Sequence, residues 1–261
     1  MLRTVSDWMT PHPPTIRRDT SIGTCARSLR EHGAQYLVVV DESGALRGVL
    51  GDSEVWRRGE LTSDGFVPHD ADELELIAQQ ITRLVEIEVG PQAALALALE
   101  ALVDSIHDVL VVVDDERRPL GLLTEADAVA RCLADLPEVS PPVVEPKVIV
   151  DKESPADEAR SRMARKRARH ALVLDGDRLY GVLSFRDVAV EHRLSDGTTA
   201  GAVASTPAHS APEGVSFRDA ATALLTHSIG CLPIVDAGQR PTGWITRTHV
   251  VSAWLQSRPQ A

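Results

Sequence analysis

At 261 residues the chain can bury a substantial core, and its length alone admits one or two domains. A formal net charge of −11 argues against a nucleic-acid-binding surface as its main business. Cys25, Cys132 and Cys231 are widely spaced and form no CxxC, which suits small buried apolar residues in a reducing cytosol. With no basic-then-apolar leader and no apolar run of the roughly 18 residues a membrane helix needs, a cytoplasmic protein without a membrane span is expected.

Val5 to Pro14 reads as an irregular lead-in whose prolines prevent helix. Thr15-Ile16-Arg17 is a short extended piece, and Asp19-Thr20-Ser21 can cap a helix from Ile22 to His32. Tyr36 to Asp41 is an apolar run suited to a buried strand, and Gly48 to Glu54 follows it as strand and helix start, the helix running from Asp52 to about Arg58. Gly59 to Asp72 reads as a loop and Glu73 to Arg83 as a helix. Val85 to Val89 alternates as a half-buried strand, Gly90-Pro91 stops it, and Gln92 to Ser105 is helical with Leu95, Leu99 and Leu102 on one face.

The stretch Ser105 to Asp127 sets the pattern for the rest. Val109 to Val113 are five apolar residues for a strand buried on both faces, an acidic turn follows, and a short strand ends at Thr124. Thr124 stands where a helix N-cap belongs, with Asp127 three residues on, so a hydroxyl, unpaired backbone N–H groups and a carboxylate meet at one junction. Ala134 to Pro142, with three prolines in nine residues, marks a boundary. Beyond it come a strand at Lys147 to Val150, a helix from Pro155 to Arg167, a linker from Arg193 to Gly201, a helix at Phe217 to His227 and a final helix at His249 to Leu255; the last six residues should fray.

The design occurs four times, its glycines Gly48, Gly121, Gly181 and Gly243 separated by 73, 60 and 62 residues. A period near 60 is too long for the common helical solenoids and fits a unit of about three strands and two helices. Such a unit is small for a core of its own, so neighbours should pair.

Four copies of Gly-hydrophobic-hydrophobic-Ser/Thr-x-x-Asp, whole or degraded, each after a V-V-D-type strand, resemble the cystathionine-β-synthase (CBS) domain family, over about residues 5 to 256. The resemblance implies an α/β fold of strand–helix–strand–strand–helix units paired into two Bateman modules. Module 1 would span residues 1–136, with units at about 5–60 and 61–136; module 2 would span 137–261, with units at about 140–194 and 198–256. It also implies clefts that take adenosyl ligands such as AMP, ADP, ATP or S-adenosylmethionine, the Asp accepting from the ribose hydroxyls and the Ser/Thr contacting ribose or phosphate. The chemistry is reasonable, because a carboxylate can accept from both hydroxyls of a cis-diol.

The full motif stands twice: Gly121, Thr124 and Asp127 in the second repeat, and Gly181, Ser184 and Asp187 in the third. The first repeat has Gly51 and Glu54 in place of the hydroxyl and acid, and the fourth pairs Thr246 with His249, so those clefts are expected to be empty or differently occupied. Arg169 and His170 open the third repeat's buried strand, where basic residues of the adenylate-sensing relative contact phosphates. Asp108, in the corresponding region of the second repeat, would repel one. The third site therefore ranks first for a phosphorylated ligand. Adenine would rest on Ile149, Val182 and Leu183 there, and on Val89, Leu122 and Leu123 in the second.

Blander readings stand beside these. Thr124-x-x-Asp127 and Ser184-x-x-Asp187 can be capping boxes and nothing more. The basic run Arg160 to Arg169 is a solvated helix face, or a rim that draws polyphosphate toward Ser184, or least of all a nucleic-acid patch, having no interleaved aromatics. His69, Asp70, Asp72 and Glu73 favour a helix start over a metal site. Trp8, Trp56, Trp244 and Trp254 suit packing, at a subunit contact among other places. No HExxH, GxSxG, GxxxxGK[ST] or GxGxxG is present.

The expected function is that of a stand-alone, non-catalytic regulatory protein. It would bind an adenine nucleotide (AMP, ADP or ATP) as regulatory ligand, require no cofactor, and pass a conformational change to a protein partner. The alternative is an interaction scaffold with vestigial clefts. A homodimer is a further expectation; nucleic acid and membrane are not expected as partners.

Overall fold

The computed structural model describes residues 3–56, 58–105, 107–136, 138–142, 144–188 and 197–257. The chain falls into two compact halves, Met1–Thr124 and Glu125–Ala261. The first begins with a 3-10 turn at Val5–Asp7 and β1 (Thr10–Pro11). Its first repeat is β2 (Thr15–Arg17), α1 (Ile22–His32), β3 (Tyr36–Val40), β4 (Leu46–Gly51) and α2 (Asp52–Trp56). A hairpin, β5 (Gly59–Thr62) and β6 (Gly65–Pro68), and the single turn α3 (Ala78–Ile81) lead to the second repeat: β7 (Glu88–Val89), α4 (Leu95–Asp104), β8 (Val109–Val113) and β9 (Pro119–Thr124).

The second half opens with α5 (Glu125–Cys132), which packs on helices of the same half described next. The third repeat is β10 (Ile149–Asp151), α6 (Ala156–Arg165), β11 (His170–Asp175), β12 (Arg178–Ser184) and α7 (Phe185–Val188). After α8 (Ala200–Val203), the fourth is β13 (Ala211–Pro212), α9 (Phe217–Thr226), β14 (Cys231–Val235), β15 (Pro241–Thr246) and α10 (Arg247–Gln256). In every repeat the first strand runs parallel to the second across a helix, and the second runs antiparallel to the third. The α/β architecture inferred from the repeats is thus present four times.

Local chemistry explains the elements. Ser21 caps α1, whose buried face is Ile22, Cys25, Ala26 and Leu29, and Gly33 ends it in the left-handed conformation with φ of 56°. The strands β3, β8 and β14 are buried at every position, as their valine-rich runs require. The aspartates that close them make the turns. Asp41 accepts from Ser43 N and Ala45 N, Asp114 from Glu116 N and Arg118 N, and Asp236 from Gly238 N and Arg240 N, all at 2.7 to 3.0 Å. The third repeat turns more tightly at Gly176 and leaves Asp175 to pair with Lys152 at 2.9 Å.

The segments between repeats cross over. The lead-in bonds to the second repeat: Val5 N donates to Ala93 O, and Thr10 and Pro11 pair with Leu122 and Gly121. Arg83, which precedes the second repeat, pairs with Val49 of the first. Val144, before the third repeat, pairs with Trp244 of the fourth, and Ser205, before the fourth, pairs with Val182 of the third. First is thereby laced to second, and third to fourth. The motif glycines permit the lacing: a Cβ on Gly48 would strike Thr82 and the Arg83 carbonyl, and one on Gly121 would lie 2.9 Å from Met9 Cγ.

Several expectations are corrected. The lead-in is built into the sheet, with Val5 and Trp8 buried, and Pro11 sits on an edge strand where no ladder N–H is needed. The 59–72 stretch is a hairpin laid over α1, with Phe66 against Gly23. The helix placed at 73–83 is a 3-10 turn and a single α turn. At the break between them Leu76 O accepts from Ile22 N, and Ala78 N, at the start of α3, donates to Thr20 O, tying both to the start of α1. The strand placed at 85–89 is regular only over its last two residues. Part of the 193–201 linker and the last four residues of the expected fray lie outside the described residues.

Candidate functional site

β11 and β12 of the third repeat place His170 opposite Ser184, and α7 starts at the next residue with no loop. Ser184 and Asp187 are brought together. One oxygen of Asp187 accepts from Ser184 N at 2.8 Å and from its hydroxyl at 2.7 Å, while Asp187 N donates back to Ser184 Oγ at 3.3 Å. This is a reciprocal cap with Asp where a box ordinarily has Glu. A carboxylate has about four acceptor positions, so capping and diol recognition are chemically compatible.

Arg169 stands beside the same junction, its carbonyl accepting from Phe185 N at 2.6 Å. Its guanidinium meets Glu125 Oε2 at 2.6 Å, and Thr248 donates to the other Glu125 oxygen at 2.9 Å. Glu125 is only 4% exposed. The His170 ring lies against Gly230, where a Cβ would stand 2.6 Å from Nε2. Val182 and Leu183 point to opposite faces of β12. Leu183 is fully buried in the cluster with Val150, Ala159 and Met163, while Val182 packs with Leu172, Cys231 and Trp244. Ile149 is 38% exposed on β10.

In the second repeat Thr124 ends β9 and Asp127 stands in the first turn of α5, both half-buried. Val89 is half-buried, Leu122 lies in the cluster with Val109 and Val111, and Leu123 is fully buried.

The two departing motifs are occupied by their own side chains. In the first repeat Glu54 pairs with Arg83 at 3.3 Å, the Arg83 guanidinium lies 5.9 Å from the Tyr36 ring centroid, and Tyr36 donates to Asp108 at 2.6 Å. In the fourth, His249 Nδ1 accepts from Thr246 N at 3.2 Å and Thr246 Oγ1 accepts from His249 N at 3.3 Å. Burial, with Lys147 nearby, pushes the His249 imidazole below its usual pKa.

Other candidates carry less. Arg162 of the basic run donates to Ile149 O at 2.8 Å, and Arg165, Lys166 and Arg167 are exposed. Among the described residues no three His, Cys, Asp or Glu side chains are grouped to hold a metal. Asp70 accepts from Asp72 N at 3.3 Å in the turn it caps. Trp8, Trp244 and Trp254 are packed inside the chain, the last donating to Asp135 at 3.2 Å. Hollows of about 450 Å³ beside Asp236 and about 500 Å³ beside Arg17 involve none of the predicted site residues. Among the described residues no helix is long and apolar enough to cross a membrane.

Sequence reasoning missed Glu125 and the Tyr36–Arg83 group. A signal existed for the first: Glu125 and Arg247, of opposite charge, hold the same motif position on α5 and α10, two helices that pack together.

Comparison with known proteins agrees with the geometry. Protein MJ1225 from Methanocaldococcus jannaschii superposes with a TM-score of 0.75 at 19% identity, over 97% of this chain and 100% of that one. An uncharacterized conserved protein from Pyrococcus horikoshii does so with a TM-score of 0.59 at 17% identity, over the same shares. A homoserine O-acetyltransferase from Methanocorpusculum labreanum is 31% identical over 121 residues, 46% of this chain but 22% of that enzyme. The CBS domain profile matches residues 5–55, 135–191 and 200–256, more than half of the chain, and the chain belongs to the CBS domain family.

Proposed function

We propose that this chain is a regulatory protein, without catalytic activity, that takes an adenosyl compound in its CBS clefts. The repeats would act as two Bateman modules, first with second and third with fourth. The observation that carries the reading is the Ser184–Asp187 junction. Hydroxyl and carboxylate lie 2.7 Å apart, half-buried, at a strand-to-helix turn in a family whose members grip ribose with that pair. The motif of the second repeat offers the same residue types at Thr124 and Asp127. Binding would alter the geometry between repeats, which a partner protein or a second copy reads; a ligand shifts such an equilibrium only by its differential affinity for the two states.

The test is calorimetric titration with AMP, ADP, ATP, S-adenosylmethionine and adenosine, repeated on Asp187→Ala. Loss of one charge-assisted interaction should weaken binding about tenfold to a hundredfold. Unchanged affinity would remove Asp187 from the site.

A second reading, an interaction scaffold with vestigial clefts, is favoured by the self-filled first repeat and by the bonds that turn Asp187 onto Ser184. It predicts no thermal shift with any adenosyl compound while a partner protein still co-purifies.

A further inference from the structure

The third-repeat junction has its own anion built in. Arg169 touches that junction through its backbone, its carbonyl accepting from Phe185 N at 2.6 Å. Its side chain is 17% exposed and its guanidinium closes on Glu125 at 2.6 Å. Glu125 is held from its other side by Thr248 at 2.9 Å, so both carboxylate oxygens are engaged, and it is among the few buried charged residues described. The neighbouring His170 ring is laid over Gly230. Of the basic run on α6, Arg162 is spent on the Ile149 carbonyl, and the residues at its end face solvent.

We infer that Glu125 is a specificity-determining residue. It occupies the charge partner that a ligand phosphate would otherwise take, and so selects an adenosyl compound with no phosphate on its 5′ carbon. The inference rests on the adenosyl reading of the Ser184–Asp187 junction and says which member of that class it takes. The physical reason is additive charge. A guanidinium already neutralised by a buried carboxylate offers little net attraction, and a phosphate brought beside it meets like charge in a medium that screens poorly. An uncharged nucleoside pays neither penalty, and its diol still finds the carboxylate and hydroxyl. A surface ion pair would yield easily to an incoming phosphate. One buried to this degree resists, because opening it takes the Arg169 guanidinium from a carboxylate that water does not reach.

The experiment compares adenosine with AMP, which share base and sugar and differ by the phosphate, on the full chain by calorimetry at moderate salt. Adenosine should bind at least about tenfold more tightly. In Glu125→Gln, shown to be folded by circular dichroism, a guanidinium no longer offset by the Glu125 charge should shift the ratio at least about tenfold toward AMP. Arg169→Gln, which keeps the carboxylate and loses the cation, should leave the preference for adenosine as large or larger. AMP binding the native chain as tightly as adenosine, or a ratio unmoved by Glu125→Gln, overturns the inference and leaves the adenosyl reading standing. Failure of both compounds to bind the native chain and the variants overturns the adenosyl reading, and this inference with it.

Discussion

Gly181 and Ser205 are pressed together. A Cβ on the glycine would stand 2.8 Å from the Ser205 carbonyl oxygen, and that segment is fixed by hydrogen bonds of 2.9 and 3.1 Å to Val182. The contact is with backbone and cannot be relieved by a rotamer change. Gly181→Ala should therefore destabilise the fold by about 1–3 kcal/mol through overpacking. Stiffening of the unfolded chain would offset only about 0.4–1 kcal/mol of this. Urea denaturation of the purified variant measures it, and a gain in stability would show that the lacing is loose.

The Ser184–Asp187 cap makes a separate prediction for the ligand-free protein. Asp187→Ala removes the acceptor for Ser184 N and its hydroxyl, and should cost about 0.5–2 kcal/mol, the usual range for a lost cap. Denaturation curves without nucleotide isolate this from any loss of affinity. A variant as stable as the native chain would show that the cap contributes nothing.

The Glu54–Arg83 pair fills the first repeat, with side chains 14% and 22% exposed. Full burial of such a pair would make loss of one partner cost about 3–5 kcal/mol. At this partial burial Glu54→Gln should cost about 1–3 kcal/mol, since the guanidinium keeps the Tyr36 ring and some water. Thermal melts at low and high salt report it, and a double-mutant cycle with Arg83→Gln should show most of the cost to be shared.

His249 gives the fold a dependence on pH. Its folded pKa lies below the unfolded value of 6.5, because burial and Lys147 disfavour the imidazolium. As pH falls below 6.5 the unfolded chain binds a proton that the folded chain resists, so stability declines on acidification and is fully present above 6.5. His249→Asn should flatten the stability curve below about pH 6.5, where one such group contributes at most about 1.4 kcal/mol per pH unit. An unchanged slope in that variant would assign the acid sensitivity elsewhere.

What was readable from residues alone followed how local the cause is. The helix at Ile22–His32 was bounded to the residue, because Ser21 and Gly33 cap it from within the segment. The β5–β6 hairpin was missed although Asp64-Gly65 is a turn signal and Gly65 has φ of 130°. Its strands are four residues each and only partly buried, so no alternation stood out. The junction at Ser184 and Asp187 was visible from spacing. The Glu125 partner of Arg169 was not, since an ion pair 44 residues apart leaves no periodic trace. The strand-closing aspartates served to align the repeats. Their chemistry, capping the turn that follows, emerged only with the backbone N–H groups in place.

The crossing of the linkers has a consequence for how such a chain can be divided. A single repeat cut out together with the segment that precedes it would leave behind the stretch that finishes its sheet and keep one that finishes its neighbour's. The first and second repeats together, or the third and fourth, carry both stretches, so truncation or grafting should succeed only when it respects those indivisible pairs.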